Sequence, residues 1–288
     1  MAHEGSPLSQ ARWPRVVALS VVAAFAAVLG IAMLMAPRVA DDLGFRWPVS
    51  KLHPLTYAWD LLAFLTFGSS FLLFRRAKKH LAPSAATARS RDNRPPILLL
   101  RSFRDDETRV LLSGWSASPW GTNTTLEELV VDCLAGHGPV VAIGRPGEAL
   151  PPLGAAREYV DHGSWQQRVR ELVAEAERIV VLGGRTGGLL WELQTIAEMR
   201  RLGRVVMVLP QTAGGRAAVW AGMRGVLEQV RPQDLPADDR VIGQGLLVTF
   251  HENGEVSLST GDGTAKSYRE ALAGIMAQSL PEPGAGAL

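Results

Sequence analysis

Cysteine is nearly absent from this 288-residue chain. Cys133 stands alone, which excludes an intrachain disulfide framework and suits a reducing compartment. It falls in an apolar helical pattern with Leu126, Leu129, Val130 and Leu134, the setting of a buried structural thiol rather than a nucleophile. Net charge is scarce too. Thirty Lys and Arg against 28 Asp and Glu leave +2, so the chain lacks the basic excess of a general nucleic-acid binder, and nucleic acid is not an expected partner. The histidines His3, His53, His80, His137, His162 and His251 are too scattered for a metal site, and none is expected. There is no glycine-rich phosphate loop ending in Lys-Ser/Thr, and no internal repeat.

The last absence is local. From Val16 to Ala36 no charged residue occurs, and Val, Ala, Leu, Ile and Met dominate. At about 1.5 Å per residue such a helix spans roughly 30 Å, the hydrocarbon thickness of a bilayer. The apolar region of a cleaved signal peptide is shorter, about 7–15 residues. A second apolar run, Leu55 to Phe74, makes residues 16–74 a two-helix transmembrane hairpin, with the lipid bilayer as partner. Arg12 and Arg15 precede the first run, and Arg75, Arg76, Lys78 and Lys79 follow the second. The positive-inside rule then puts both termini in the cytoplasm, so a multi-pass protein of the cell's inner (plasma) membrane is expected. Trp13, Trp47, Tyr57 and Trp59 lie where interfacial aromatics belong. Asp60 sits inside the second run, either at the outer headgroups or paired across an oligomer.

Residues 1–15 read as a cytoplasmic segment, 75–94 as a basic linker, 95–280 as a globular domain and 281–288 as a disordered tail. In the domain, strands are expected at Ile97–Leu100, Val140–Ile143, Ile179–Leu182 and Val205–Leu209. Helices are expected at about 125–134, 164–176, 215–230 and 265–278, and another, carrying Glu192, begins beyond Gly183, Gly184, Gly187 and Gly188 and runs to about Leu202, stopping at Gly203. Gly144 to Tyr159 reads as a loop. Gly245–Phe250 and Val256–Leu258 flank Asn253-Gly254, a hairpin turn signal. The strands lack the alternation of a strand with one wet face, so the fold class is α/β with a parallel sheet covered by helices on both faces. Flavodoxin-like winding would order the four strands second, first, third, fourth, with the reversal between first and third.

The stretch from Arg178 to Leu193 organises this domain: an apolar strand, then Gly183, Gly184, Gly187 and Gly188, then a helix carrying Trp191 and Glu192. Glu192 is expected in or near the first helical turn, where it either complements the helix dipole or faces a pocket floored by Gly183 and Gly184. The glycine spacing is not that of a dinucleotide fold, and the next strand ends in Pro210-Gln211 without the acidic residue that would hold a ribose.

Ser102 followed by Asp105 and Asp106 after the first strand, Arg145-Pro146-Gly147 after the second, Trp165 at the next helix and Trp191-Glu192 after the third strand occur in an informative order. Over Pro96 to Leu209 this order resembles the Toll/interleukin-1 receptor (TIR) domain and its relatives, the nucleoside deoxyribosyltransferases. The run Gly188-Leu-Leu-Trp191-Glu192-Leu193 is similar to the deoxyribosyltransferase pattern. The resemblance implies one of two functions. One is cleavage of the N-glycosidic bond of NAD or a related nucleotide, with Glu192 as the catalytic carboxylate and NAD a substrate rather than a cofactor. The other is a non-catalytic module that self-associates and assembles signalling partners. In the first, Glu192 stabilises positive charge developing on the ribose, and nicotinamide leaves as a neutral group without a general acid. Substrate-binding residues would be Ser102, Arg104, Asp105, Arg145, Gly183, Gly184 and Trp191, with Ser102, Arg104 and Arg145 on hydroxyls or phosphates. Trp191 would stack on a ring or fill the core.

Overall fold

The computed structural model describes residues 7–43, 54–80, 83–102, 125–144, 154–161, 163–210, 213–230, 243–251 and 255–277. The chain divides into two compact units, Met1–Ala82 and Pro83–Leu288.

The first unit pairs α1 (Pro7–Asp42) with α2 (Pro54–His80), both longer than their apolar runs. Two segments are long and apolar enough to cross a membrane, Val16–Pro37 and Tyr57–Phe74, with mean hydropathy 2.6 and 1.4. Only 17% and 11% of these windows is buried, the reverse of a core helix in a soluble protein. Where the helices touch they do so closely: a Cβ on Gly30 would stand 2.8 Å from the backbone nitrogen of Phe67. Trp59, expected as an interfacial anchor, donates its indole N–H to the Met33 carbonyl at 2.9 Å and ties α2 to α1. Tyr57 and Asp60 are exposed. The side chain of Trp13, all of Trp47 and the connecting loop lie outside the described residues.

The second unit begins with α3 (Ala85–Arg91), capped by the Ser84 hydroxyl and joined to the domain by an Arg89–Glu175 ion pair. The segment read as linker is thus in part a docked helix. There follow β1 (Ile97–Arg101), α4 (Leu126–Leu134), β2 (Val140–Ile143), β3 (Ala156–Glu158), α5 (Trp165–Glu175), β4 (Arg178–Leu182) and α6 (Gly187–Glu198). After a 3-10 turn come β5 (Val205–Val208), α7 (Ala213–Val230), the hairpin β6 (Gly245–Phe250) and β7 (Val256–Thr260), and α8 (Ala265–Met276). The hairpin turn itself, 252–254, lies outside the described residues.

The seven strands form one sheet in the order β3-β2-β1-β4-β5-β6-β7. β1 pairs in parallel with β2 (Ile97↔Val140) and with β4 (Leu98↔Ile179), so the four strands read from sequence stand in their expected order. β6 and β7 add antiparallel. Alternate residues of each central strand enter opposite cores. Leu98, Leu100, Ile179 and Val181 pack under α5, α6 and α7, whereas Ile97, Leu99, Val180 and Val206 pack under α4 and α8. A continuous apolar run is therefore what a doubly covered strand requires. The chain winds outward from β1 through β2 to β3, returns to β4, and then winds the other way. Crossovers of one hand running in opposite directions place their helices on opposite faces, which is where α4 and α5 lie.

Two local expectations are corrected. Part of the segment read as a loop to Tyr159 is strand β3, paired in parallel with β2. Its polar sequence hid it, because the Arg157 side chain is buried by an ion pair that local pattern does not reveal. Helix α6 ends at Glu198, well before Gly203. Arg200, not a glycine, takes the left-handed conformation (φ 56°), and Arg201 N–H closes on the Ile196 carbonyl, a Schellman arrangement.

Candidate functional site

A cavity of about 210 Å³ opens at the carboxyl ends of β1, β4 and β5, beside the point where the winding reverses. Its wall includes Arg101, Ser102, Glu127, Gly183, Gly184 and Arg185. In open α/β sheets this reversal leaves a crevice, because the connections on either side depart in opposite directions.

Arg101 ends an otherwise apolar strand and is only 7% exposed. Opposite it, Thr125 and Glu128 form a reciprocal capping box that fixes the start of α4 and leaves Glu127 facing inward at 3% exposure. Glu127 Oε1 accepts from Arg157 Nη2 at 2.5 Å and from the Ala155 amide at 3.4 Å, and its Oε2 lies 3.3 Å from Arg101 Nε. A chain of charges thus runs from strand β3 through α4 to the cavity. Gly154 makes room for it: its φ is +139°, and a Cβ there would fall 2.7 Å from Glu127 Oε1.

The cavity floor is the glycine loop. Gly183 N–H donates to the Val208 carbonyl at 2.8 Å, and a Cβ on Gly183 would meet Val219 at 2.7 Å. Gly183 is therefore required by the approach of the loop to α7. Around Gly187 and Gly188 a Cβ would meet nothing within 4 Å, so those glycines answer to no packing constraint. The stem of Arg185 runs close to Gly222 of α7.

Glu192 is the sixth residue of α6, whose N-cap is Thr186. It lies just beyond the first turn, where the influence of the helix dipole fades. It is also not part of the cavity wall. The residue as a whole is half-buried, but its Oε2 is shut off from solvent without a hydrogen-bond partner, and burial pushes the carboxyl up to about 8. Beside it, Trp191 packs against the core, with Trp165 edge-on at 4.8 Å and the Arg170 guanidinium 5.3 Å from its ring centre.

Of the residues expected to form a site, the structure brings Ser102, Gly183 and Gly184 together at the cavity and sets Trp191 and Glu192 apart from it. Arg104, Asp105 and Arg145 lie outside the described residues. Arg101, Glu127, Arg157 and Arg185 were missed. Two of them left a trace: Glu127 shares a helical stripe with Val130 and Leu134, and Arg101 closes an apolar strand. Cys133 is half-buried against the core, and burial raises its thiol above the ordinary range, as suits a structural cysteine.

The wall carries Arg101, Ser102, Glu127 and Arg185 among apolar and glycine residues. Glu127 is held by two guanidiniums, whereas burial raises the Glu192 carboxyl to about 8, and a cation beside it would favour the ionised form. Compared with protein-family models, with curated proteins and with solved structures, the chain finds no match.

Proposed function

We propose that the globular unit is a flavodoxin-like, TIR-like domain, held at the inner face of a membrane by the hairpin, that binds NAD or a related nucleotide in its crevice and cleaves the N-glycosidic bond. The observation that carries the reading is the coincidence of the cavity with the winding reversal and the glycine loop. Glu192 is the proposed carboxylate. Its buried, unpartnered oxygen has no structural employment among the described residues, and a cationic nicotinamide brought near it would draw off its proton. The anion needed to stabilise a ribosyl cation would then arise on substrate binding.

A second reading, a non-catalytic module that self-associates and recruits signalling partners, is favoured by one fact: Glu192 does not line the cavity. The two separate in one assay, nicotinamide release from NAD by the full chain in liposomes. If Glu192 is the carboxylate, Glu192→Gln lowers turnover by about a hundredfold or more. Equal rates in the two proteins exclude Glu192, and absence of release from both favours the interaction module.

A further inference from the structure

We propose that the basic end of the helical hairpin is a docking surface for anionic phospholipid headgroups. Such a surface exists only if the hairpin spans a membrane, as read above; it needs no chemistry of the α/β unit. Gly30 meets Phe67 and Trp59 reaches the Met33 carbonyl, so α1 and α2 run antiparallel, and the start of the first lies at the same end as the finish of the second. On each helix buried positions recur every seven residues: Val16, Ala23 and Gly30 on α1, and Ala63, Ser70 and Ala77 on α2. Seven-residue spacing keeps one seam of a helix against its partner. Ala77 lies beyond the second span, which ends at Phe74, yet is only 2% exposed, so the seam outlasts the apolar run.

Packing of this kind gathers charges that are far apart in the chain. Arg12 and Arg15 stand in α1 just before Val16, and Arg75, Arg76, Lys78 and Lys79 stand in α2 just after Phe74. No Asp or Glu of either helix lies at this end, because Asp41, Asp42 and Asp60 all fall toward the connecting loop. The two helices therefore supply six cations and no anion here. Arg76 is exposed, as a cation that meets lipid must be.

Depth decides what these cations meet. At about 1.5 Å per residue, Arg12 stands about 6 Å beyond the first span and Lys79 about 8 Å beyond the second. The polar region on each side of a bilayer is roughly 5–8 Å thick, so all six are placed at the level of the headgroups. Zwitterionic lipids offset their phosphate with their own cation, whereas a headgroup of net negative charge attracts each Lys or Arg near the surface. A charge bias that orients a hairpin needs only that cations flank the span. Holding them at one depth on two packed helices also lets them act together on neighbouring headgroups.

The test reconstitutes the full chain in phosphatidylcholine vesicles carrying a trace of spin-labelled phosphatidylserine or spin-labelled phosphatidylcholine in both leaflets. Electron paramagnetic resonance reads the share of each label held at the protein, and label in both leaflets makes the readout indifferent to the direction of insertion. Wild type should retain the anionic label at least about threefold more strongly than the zwitterionic one at low salt. That preference should fall toward unity in about 1 M salt, where the screening length is about 3 Å. It should fall likewise in a variant carrying Arg75→Gln, Arg76→Gln, Lys78→Gln and Lys79→Gln, and persist in one carrying Arg75→Lys and Arg76→Lys. A chain that does not float with the vesicles after an alkaline wash refutes the membrane-spanning reading and this proposal with it. Equal retention of the two labels by a chain that does float overturns the proposal alone, as does a preference unchanged by salt or by the four glutamines.

Discussion

Two carboxylates of the α/β unit, Glu127 and Glu192, are treated in opposite ways. Glu127 has two guanidiniums and a backbone amide around it. Glu192 carries an oxygen with no hydrogen-bond partner. The fold surrounds the first with positive charge, whereas burial without a partner raises the carboxyl of the second to about 8.

The largest effect should come from Glu127. Glu127→Ala leaves Arg101 and Arg157 buried without their shared counter-ion and should cost about 3–5 kcal/mol, read from denaturant unfolding of the full chain in micelles. Replacing Glu127 and Arg157 together by Met should recover part of that loss, since an apolar pair avoids an uncompensated charge. Single and double variants of equal stability would show that the ion pair does not hold this corner.

Glu192 should show itself in pH dependence. Its carboxyl is raised in the folded state from an ordinary value of 4.5 to about 8, so the native chain holds a proton that the unfolded chain releases. The stabilisation is complete below about pH 4.5 and is lost as pH rises to about 8, by at most about 1.4 kcal/mol per pH unit. Glu192→Gln should remove this slope and be relatively more stable than wild type at pH 8 to 9. Parallel stability profiles for the two proteins would mean that the carboxyl is not desolvated in solution.

The smallest contrast concerns the glycines that flank the two sites. Gly154→Ala should destabilise by about 1–3 kcal/mol, because its φ is +139° and the new methyl would strike Glu127. Gly187→Ala, into open space at the start of the helix bearing Glu192, should be neutral or stabilise by up to about 1 kcal/mol. Thermal melts of the two variants distinguish a glycine required by geometry from one that is not.

The same contrast explains what could be read in advance. The central strands were legible because both their faces are buried, and their order followed from the alternation of elements. The helix boundaries came within a few residues where a capping side chain was visible, as at Thr125. Strand β3 was not legible, since Arg157 is buried only because Glu127, 30 residues away, receives it. Ser102 and the glycine loop were found at the cavity through their place at strand ends. Glu192 was expected in or near the first turn and stands sixth in α6, because the helix takes in Gly187 and Gly188. Pairing between distant charges has no local signature, and the Arg101–Glu127 corner of the cavity wall is made of it.

One feature of the other unit bears on how the protein is assembled. Gly30 lets the backbone of α1 come against Phe67 of α2, and the indole of Trp59 is bonded to the Met33 carbonyl. Helices in contact at the level of the main chain, with a directional bond between them, carry their own instructions for pairing. Surrounding lipid can change how such a hairpin leans, but the choice of which residues meet is written into the chain before any lipid is encountered.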